Sequence, residues 1–196
     1  MCGGRGTRLE SSHEKPLQPI ASEAMVDRVR RALAASRVET TYAVVSPNAP
    51  ETRAHLEGVL PTVETPGEGY VTDLGVALER QEVEPPVLTV AADLPLLEGE
   101  VIDRVLEEYE RRMGGRGDRG SLTVCVPAAL KRRLGVSCET VLESESDDTE
   151  LAPTGVNVVG SDPQRQMTYL SDDPRLAINV NRPIDVDRAE ERYRCE

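Results

Sequence analysis

Short apolar runs alternate along this chain with segments of helical period, and that alternation constrains the fold more than any other feature. Residues 41–45, 62–65, 87–92, 122–126, 156–159 and 176–180 read as strands. Between them, Ser22 is placed to cap a helix running to about Ser36, with Val26, Val29 and Leu33 on one face. Pro50 suits the first turn of a short helix through Leu56. Further helices are predicted from Tyr70 to about Arg80, from about Gly99 to Arg112 with Val101, Val105 and Leu106 facing inward, and from about Pro183 with Val186 and Ala189 inward. Strand and helix in turn at this spacing predict an α/β fold, doubly wound around a mostly parallel sheet. Ligands of such sheets bind at the carboxyl ends of the strands. The 196 residues fit a single domain spanning 1–196, with no repeat and no linker.

The opening residues carry the strongest chemical signal. Gly3, Gly4 and Gly6 strip side chains from a short loop, so that backbone N–H groups can converge on an anion. Arg5 and Arg8 add guanidinium forks suited to phosphate oxygens, and Lys15, followed by Pro16 and Leu17, adds a compact positive charge. So many donors in an acidic chain point to a polyphosphate. Asp93 ends the most apolar strand and is followed by Leu94 and Pro95, a placement that suits either a helix cap or a divalent metal. Asn181, just ahead of Pro183, is placed to cap the helix that follows. Gly67 and Gly69 open the helix at Tyr70, where a purine and ribose fit over the strand ends. Asp73, one turn further in, can accept from guanine N1–H and N2–H.

Composition excludes some partners. A net charge of −12 argues against nucleic acid or an anionic membrane as the main ligand. No apolar run reaches the length of a membrane span and no signal peptide is visible, so a cytoplasmic location is expected. Lys15 and Lys131 are the only lysines, and Phe and Trp are absent. Few lysines, an acidic surface and a core of small residues suggest a high-salt cytoplasm, as in a halophilic archaeon. Cys2, Cys125, Cys138 and Cys195 show neither metal spacing nor a disulfide framework. The glycine-rich stretch 114–120 follows a helix rather than a strand and is read as a surface connection. The acidic stretch 143–150 is read as a solvated loop.

Gly3-Gly4-Arg5-Gly6-Thr7-Arg8 followed by Lys15-Pro16-Leu17 resembles the signature loop of nucleotidyltransferases, which move a nucleoside monophosphate from an NTP onto a phosphate. In that family the loop follows a hydrophobic strand in mid-sheet. This chain has no such strand ahead of Met1, so a groove in the core is expected, with Met1 as an internal methionine of a longer chain. Asn179-Val180-Asn181-Arg182-Pro183-Ile184-Asp185 is similar to the family's closing Asn-x-Asn-Thr-Pro-x-Asp motif, with Arg182 in place of the usual Thr. The stretch from Ser46 to Thr52, the stretch from Thr65 to Leu74 and Pro153-Thr154-Gly155-Val156-Asn157-Val158-Val159 resemble the archaeal adenosylcobinamide-phosphate guanylyltransferases.

The resemblance implies GTP and adenosylcobinamide phosphate as substrates, Mg²⁺ as cofactor and pyrophosphate as product, and leaves room for a homodimer. It implies Arg5 and Lys15 as catalytic residues. Gly3, Gly4, Gly6, Thr7, Ser46, Gly67, Gly69 and Asp73 would bind the nucleotide, Asp93 and Asn181 the metal, and Gly155, Asn157 and Asn179 the acceptor side. The rival readings are a molybdenum-cofactor guanylyltransferase, a sugar-phosphate nucleotidyltransferase and a GTP-binding protein without catalysis.

Overall fold

The structure, a computed structural model, describes residues 1–3, 6–114, 119–143 and 149–194, with Thr7 described by its backbone alone. Most of the glycine-rich connection and of the acidic loop lie outside the described residues. In chain order the elements begin with the hairpin β1 (Pro19–Ile20) and β2 (Glu23–Ala24), then α1 (Met25–Ala34), β3 (Ala43–Val45), α2 (Pro50–Leu56) and β4 (Thr62–Glu64). They continue with α3 (Tyr70–Leu78), β5 (Val87–Val90), α4 (Gly99–Met113), β6 (Ser121–Pro127) and α5 (Ala128–Leu134). The chain closes with β7 (Leu142–Glu143), β8 (Glu150–Val159), β9 (Gln166–Leu170), α6 (Pro174–Ala177) and α7 (Pro183–Tyr193).

One sheet has the order β5-β8-β6-β9, with β7 also on β8. Because β8 is antiparallel to β5, β6 and β7 while β6 and β9 are parallel, β8 alone runs against the others. The fold is α/β with a mostly parallel sheet. Its main core packs Leu94, Val101, Ile102 and Val105 against Leu122, Val124, Val126 and Leu176. These are branched aliphatic side chains, which pack densely, with Tyr109 as the buried aromatic of the same cluster.

β3 and β4 pair separately, in parallel. Between them and β5 lie Met1 and Cys2, which bridge the two. The Met1 amino group donates to Val90 O at 2.9 Å, Ala92 N–H donates to Met1 O at 3.3 Å, and Cys2 N–H donates to Val44 O at 2.8 Å. Behind them runs an apolar slot of about 130 Å³, walled by Val44, Val63, Leu74, Ala77, Leu88 and Val90. The expected groove is therefore present.

Several boundaries differ from expectation. Ser22 does not cap a helix: it sits at φ 72° in the turn between β1 and β2, and α1 begins at Met25. Residues 176–180 are not a strand. The Asp173 side chain accepts from Arg175 N–H, Pro174 presets the first turn, and Leu176 and Ala177 are buried on the short helix α6. The run at 156–159 is only the end of the ten-residue β8, which continues through Pro153 and Gly155 with a shift of register against β6. β9 and α5 carry little periodic signal and are new here.

Candidate active site

At the strand ends, three loops are tied together by their own polar groups. Ser46 Oγ donates to Gly3 O at 2.8 Å, Asn48 Nδ2 donates to Gly67 O at 2.8 Å, and Asp73 Oδ1 accepts from Gly67 N–H at 2.8 Å. A side chain at Gly67 is excluded twice over: φ is +76°, and a Cβ would lie 2.4 Å from Asn48 Nδ2. Gly6 is similar, with φ +60° and a Cβ position 2.5 Å from Lys15 Cβ, so the opening turn and the lysine turn pack backbone to stem. The result is a cleft of about 520 Å³ lined by Gly3, Lys15, Asn48, Gly67, Gly69, Tyr70, Asp73 and Asp93.

Glu14 anchors the lysine turn. Its carboxylate accepts from Glu51 N–H at 2.9 Å and from Thr52 N–H and Thr52 Oγ1 at 2.7 Å each, capping α2 from another part of the chain. Burial pushes the Glu14 carboxyl up, but the Thr52 hydroxyl and the two N–H donors outweigh it and hold the group below its ordinary value.

Lys15 Nζ sits between Asp93 Oδ2 at 2.6 Å and Asn181 Oδ1 at 2.7 Å. Asp93 is delivered by the segment after β5 and is backed by Asn179 Nδ2, 3.1 Å from its Oδ1. Asn181 is held by Asp185, which is fully buried and accepts from the N–H groups of Asn181 and Arg182 at 2.9 Å. The same carboxylate accepts from Ser137 N–H and Oγ at 2.7 Å, fixing the loop after α5. Asp185 thus takes the capping role that the sequence left open for Asn181, and frees the Asn181 carbonyl for Lys15.

Beyond Asp93 a second cleft of about 620 Å³ is lined by Arg8, Lys131, Glu139, Gly155, Asn157, Asn179 and Asn181. Asp93, Ala91 and Tyr70 belong to both clefts. Tyr70 stands between them, its hydroxyl 3.0 Å from Thr89 Oγ1 and accepting from Asn157 Nδ2 at 3.2 Å. Gly155 has φ +83°, and a Cβ there would lie 2.8 Å from Ala91 Cβ. Glu139 pairs with Arg8 and with Arg182, closing the far wall.

Of the residues singled out by sequence, Gly3, Lys15, Ser46, Gly67, Gly69, Asp73, Asp93, Gly155, Asn157, Asn179 and Asn181 converge here, and Gly6 packs against Lys15. Gly4 and Arg5 lie outside the described residues, as does the Thr7 side chain. Asp73 differs in detail from expectation, since one of its oxygens is engaged by Gly67 and serves the loop itself. Sequence reasoning assigned no individual role to Glu14, Asn48, Glu139 or Lys131. Their partners are distant in the chain, and only the scarcity of lysine marked Lys131.

Among the described residues no three of His, Cys, Asp and Glu gather into a metal site. Asp93 and the Asn181 carbonyl are hard oxygen donors, already turned towards one cation, the Lys15 ammonium. That set suits a divalent ion that takes its remaining oxygens from water and substrate phosphates.

A glycine-walled cleft at the strand ends, meeting a second cleft at a lysine–aspartate pair, defines an α/β transferase that handles phosphorylated nucleotides. Residues 1–138 match the family described as MobA-like NTP transferase domain, and the chain belongs to that family of nucleotidyltransferases. It is 26% identical over 196 residues to the adenosylcobinamide-phosphate guanylyltransferase of Methanocaldococcus jannaschii, covering 97% of this chain and 93% of that one. It is 31% identical over 170 residues to the bifunctional protein GlmU of Bifidobacterium longum, covering 80% of this chain but 36% of that protein. The fold is shared with CMP:2-keto-3-deoxy-manno-octonic acid synthetase, solved with CTP, at a TM-score of 0.64 and 13% identity over 96% of this chain and 95% of that one. Among the described residues no helix is long and apolar enough to cross a membrane.

Proposed function

We propose that this chain transfers GMP from GTP to adenosylcobinamide phosphate, giving adenosylcobinamide-GDP and pyrophosphate. The observation that carries the reading is the lysine–aspartate–asparagine cluster where the two clefts meet, because a phosphoryl group reached from both sides would sit there. The acceptor is assigned from the relative in Methanocaldococcus jannaschii, whose similarity runs over nearly the whole chain.

In this reading the triphosphate lies along Gly3, Gly6 and the lysine turn, with the base over Gly67 and Gly69. Lys15 leaves Asp93 for the α-phosphate and the departing pyrophosphate, neutralising charge as it builds. Asp93 and Asn181 would hold a divalent ion, Mg²⁺ in the resemblance, which would supply charge neutralisation on the phosphate oxygens. The acceptor phosphate is already anionic, so attack on the α-phosphorus needs no general base. A P–O bond to the acceptor forms as the P–O bond to pyrophosphate breaks. Alignment and electrostatics do the rest. Tyr70, between the clefts, separates base from acceptor. Gly155, without a side chain, lets β8 pack directly against Ala91 on the floor of the acceptor side.

The test mixes the protein with GTP, Mg²⁺ and adenosylcobinamide phosphate and follows pyrophosphate. Release that requires the corrinoid is expected. Release with a sugar phosphate or with molybdopterin in its place would reassign the acceptor, and GTP binding without release would make this a non-catalytic binder.

A further inference from the structure

Lys131 is unused by the mechanism so far, yet it is the only other lysine in the chain and both lysines converge on Asp93. It lies on α5 at 4% exposure. Its Nζ donates to Ala177 O at 2.8 Å and to Asn179 Oδ1 at 2.8 Å. An ammonium only donates, so it selects the oxygen of the Asn179 amide and leaves the nitrogen to point the other way. That nitrogen donates to Thr154 O at 2.7 Å and to Asp93 Oδ1 at 3.1 Å. With its oxygen and both N–H groups engaged, the amide has one orientation. Turned over, it would set its Nδ2 against the Lys131 ammonium and its Oδ1 against both Thr154 O and the Asp93 carboxylate.

A buried lysine costs stability, since burial drives its ammonium towards the neutral form. The negative charges of Asp93 and Asp185 oppose that. A buried ammonium held by a carbonyl and an amide oxygen is an expensive way to hold α5 against α6, which a leucine would do as well. The charge makes sense as orientation of the site.

We propose that Lys131 is a positioning residue: by fixing the Asn179 amide it presents an N–H to Asp93 Oδ1, so that Asp93 Oδ2 stays aimed at the Asn181 side when a phosphate draws Lys15 away. The inference rests on reading Asp93 as the carboxylate on the metal side. Groups one shell behind a metal-binding carboxylate commonly change metal affinity about 10- to 100-fold when removed.

Mn²⁺ serves as the probe. Its dissociation constant is measured by electron paramagnetic resonance on the full chain with saturating GTP, for wild type, Asp93→Asn, Lys131→Met, Asn179→Ala and the Lys131→Met/Asn179→Ala double variant. Binding by wild type that Asp93→Asn does not weaken would remove the underlying reading, whatever Lys131 does. Where Asp93→Asn does weaken it, Lys131→Met and Asn179→Ala are each expected to raise the dissociation constant roughly tenfold. The double variant is expected to match either single one, because Lys131 acts only through Asn179. Unchanged affinity in either single variant, or full additivity in the double, overturns the proposal. Should Lys131→Met fail to fold, Lys131→Gln, which keeps a donor without the charge, replaces it in the same cycle. Affinity indistinguishable from wild type for both Lys131→Gln and Asn179→Ala would likewise overturn it.

Discussion

The two clefts that meet at Asp93 are built in different ways. The side proposed for the nucleotide takes part of its wall from backbone: Gly3, Gly67 and Gly69 from three loops, cross-tied by Ser46, Asn48 and Asp73. The side proposed for the acceptor is walled mainly by side chains that come from α5, β8 and the loop before α7: Lys131, Asn157, Asn179 and Asn181. They also rest on different floors. The acceptor cleft stands on the closed ladder of β5, β8 and β6, whereas the nucleotide cleft shares Met1, Cys2 and Ala92 with the apolar slot beside β3. A backbone wall accepts any chemically similar triphosphate and resists substitution at its glycines. A side-chain wall can be retuned residue by residue.

The largest effect is expected where the clefts join. Lys15→Ala is expected to lower kcat by two orders of magnitude or more, on the order of 3 kcal/mol, as for loss of one strong electrostatic contact to a developing charge. Single-turnover kinetics check this. Near-normal turnover would take Lys15 out of the chemistry and reduce it to a tie between Asp93 and Asn181.

A change beneath the nucleotide side alone comes next. About four apolar, β-branched residues joined ahead of Met1 are expected to enter the slot between β3 and β5, with a net gain of roughly 2 kcal/mol after the entropy of ordering them. Thermal melts should show a midpoint raised by about 4–8 °C, given some 2–4 °C per kcal/mol at this size. GTP affinity is expected to rise with it, and affinity for the acceptor to stay where it is. No change in the midpoint would mean that Met1 and Cys2 already complete that floor.

Gly67→Ala sharpens the contrast between backbone and side-chain walls. The residue sits at φ +76° and its new Cβ would meet Asn48 Nδ2 at 2.4 Å, so the loop must shift. The KM for GTP is expected to rise about tenfold, roughly 1.4 kcal/mol, with the KM for the acceptor unchanged. Equal loss on both substrates in steady-state kinetics would show that the clefts are not separately built.

What could be read from sequence follows the same division. Gly67, Gly69 and Asp73 lie within a few residues of each other, and the glycines of the opening turn are likewise adjacent, so a local pattern discloses the nucleotide side. α2 was legible to the residue because Pro50 marks its first turn and Leu56 its last buried side chain. Lys131 was not, because next to Arg132 and Arg133 it reads as one more charge on a helix face, and only the fold turns it inward. The reversed direction of β8 was also hidden. Strand direction is set by which neighbour a strand finds, and a proline and a glycine two residues apart do not mark the middle of a ten-residue strand. Residues 176–180 misled for a third reason: a buried apolar run serves a short helix as well as a strand, and the Asp173 cap decided between them.

The smallest effect separates the clefts by pH. Glu14 ties the lysine turn to α2 through the N–H groups of Glu51 and Thr52 and the Thr52 hydroxyl, on the nucleotide side only. Its carboxyl is held below the ordinary value of 4.5. A carboxylate depressed in the folded state adds stability that is complete above its unfolded value and is lost as pH falls through its folded one. Glu14→Gln removes the charge at every pH, so it is expected to cost about 1 kcal/mol at neutral pH, the scale of one hydrogen-bonding group weakened. That gap from wild type is expected to stay constant above the ordinary glutamate value and to close as the pH drops below it, where wild type too carries a protonated side chain. Urea denaturation midpoints for the two proteins across that range measure it. A gap that persists undiminished in acid would mean the substitution acts through shape rather than charge. The lysine turn would then owe its position to the packing of Gly6 against Lys15 and not to the carboxylate.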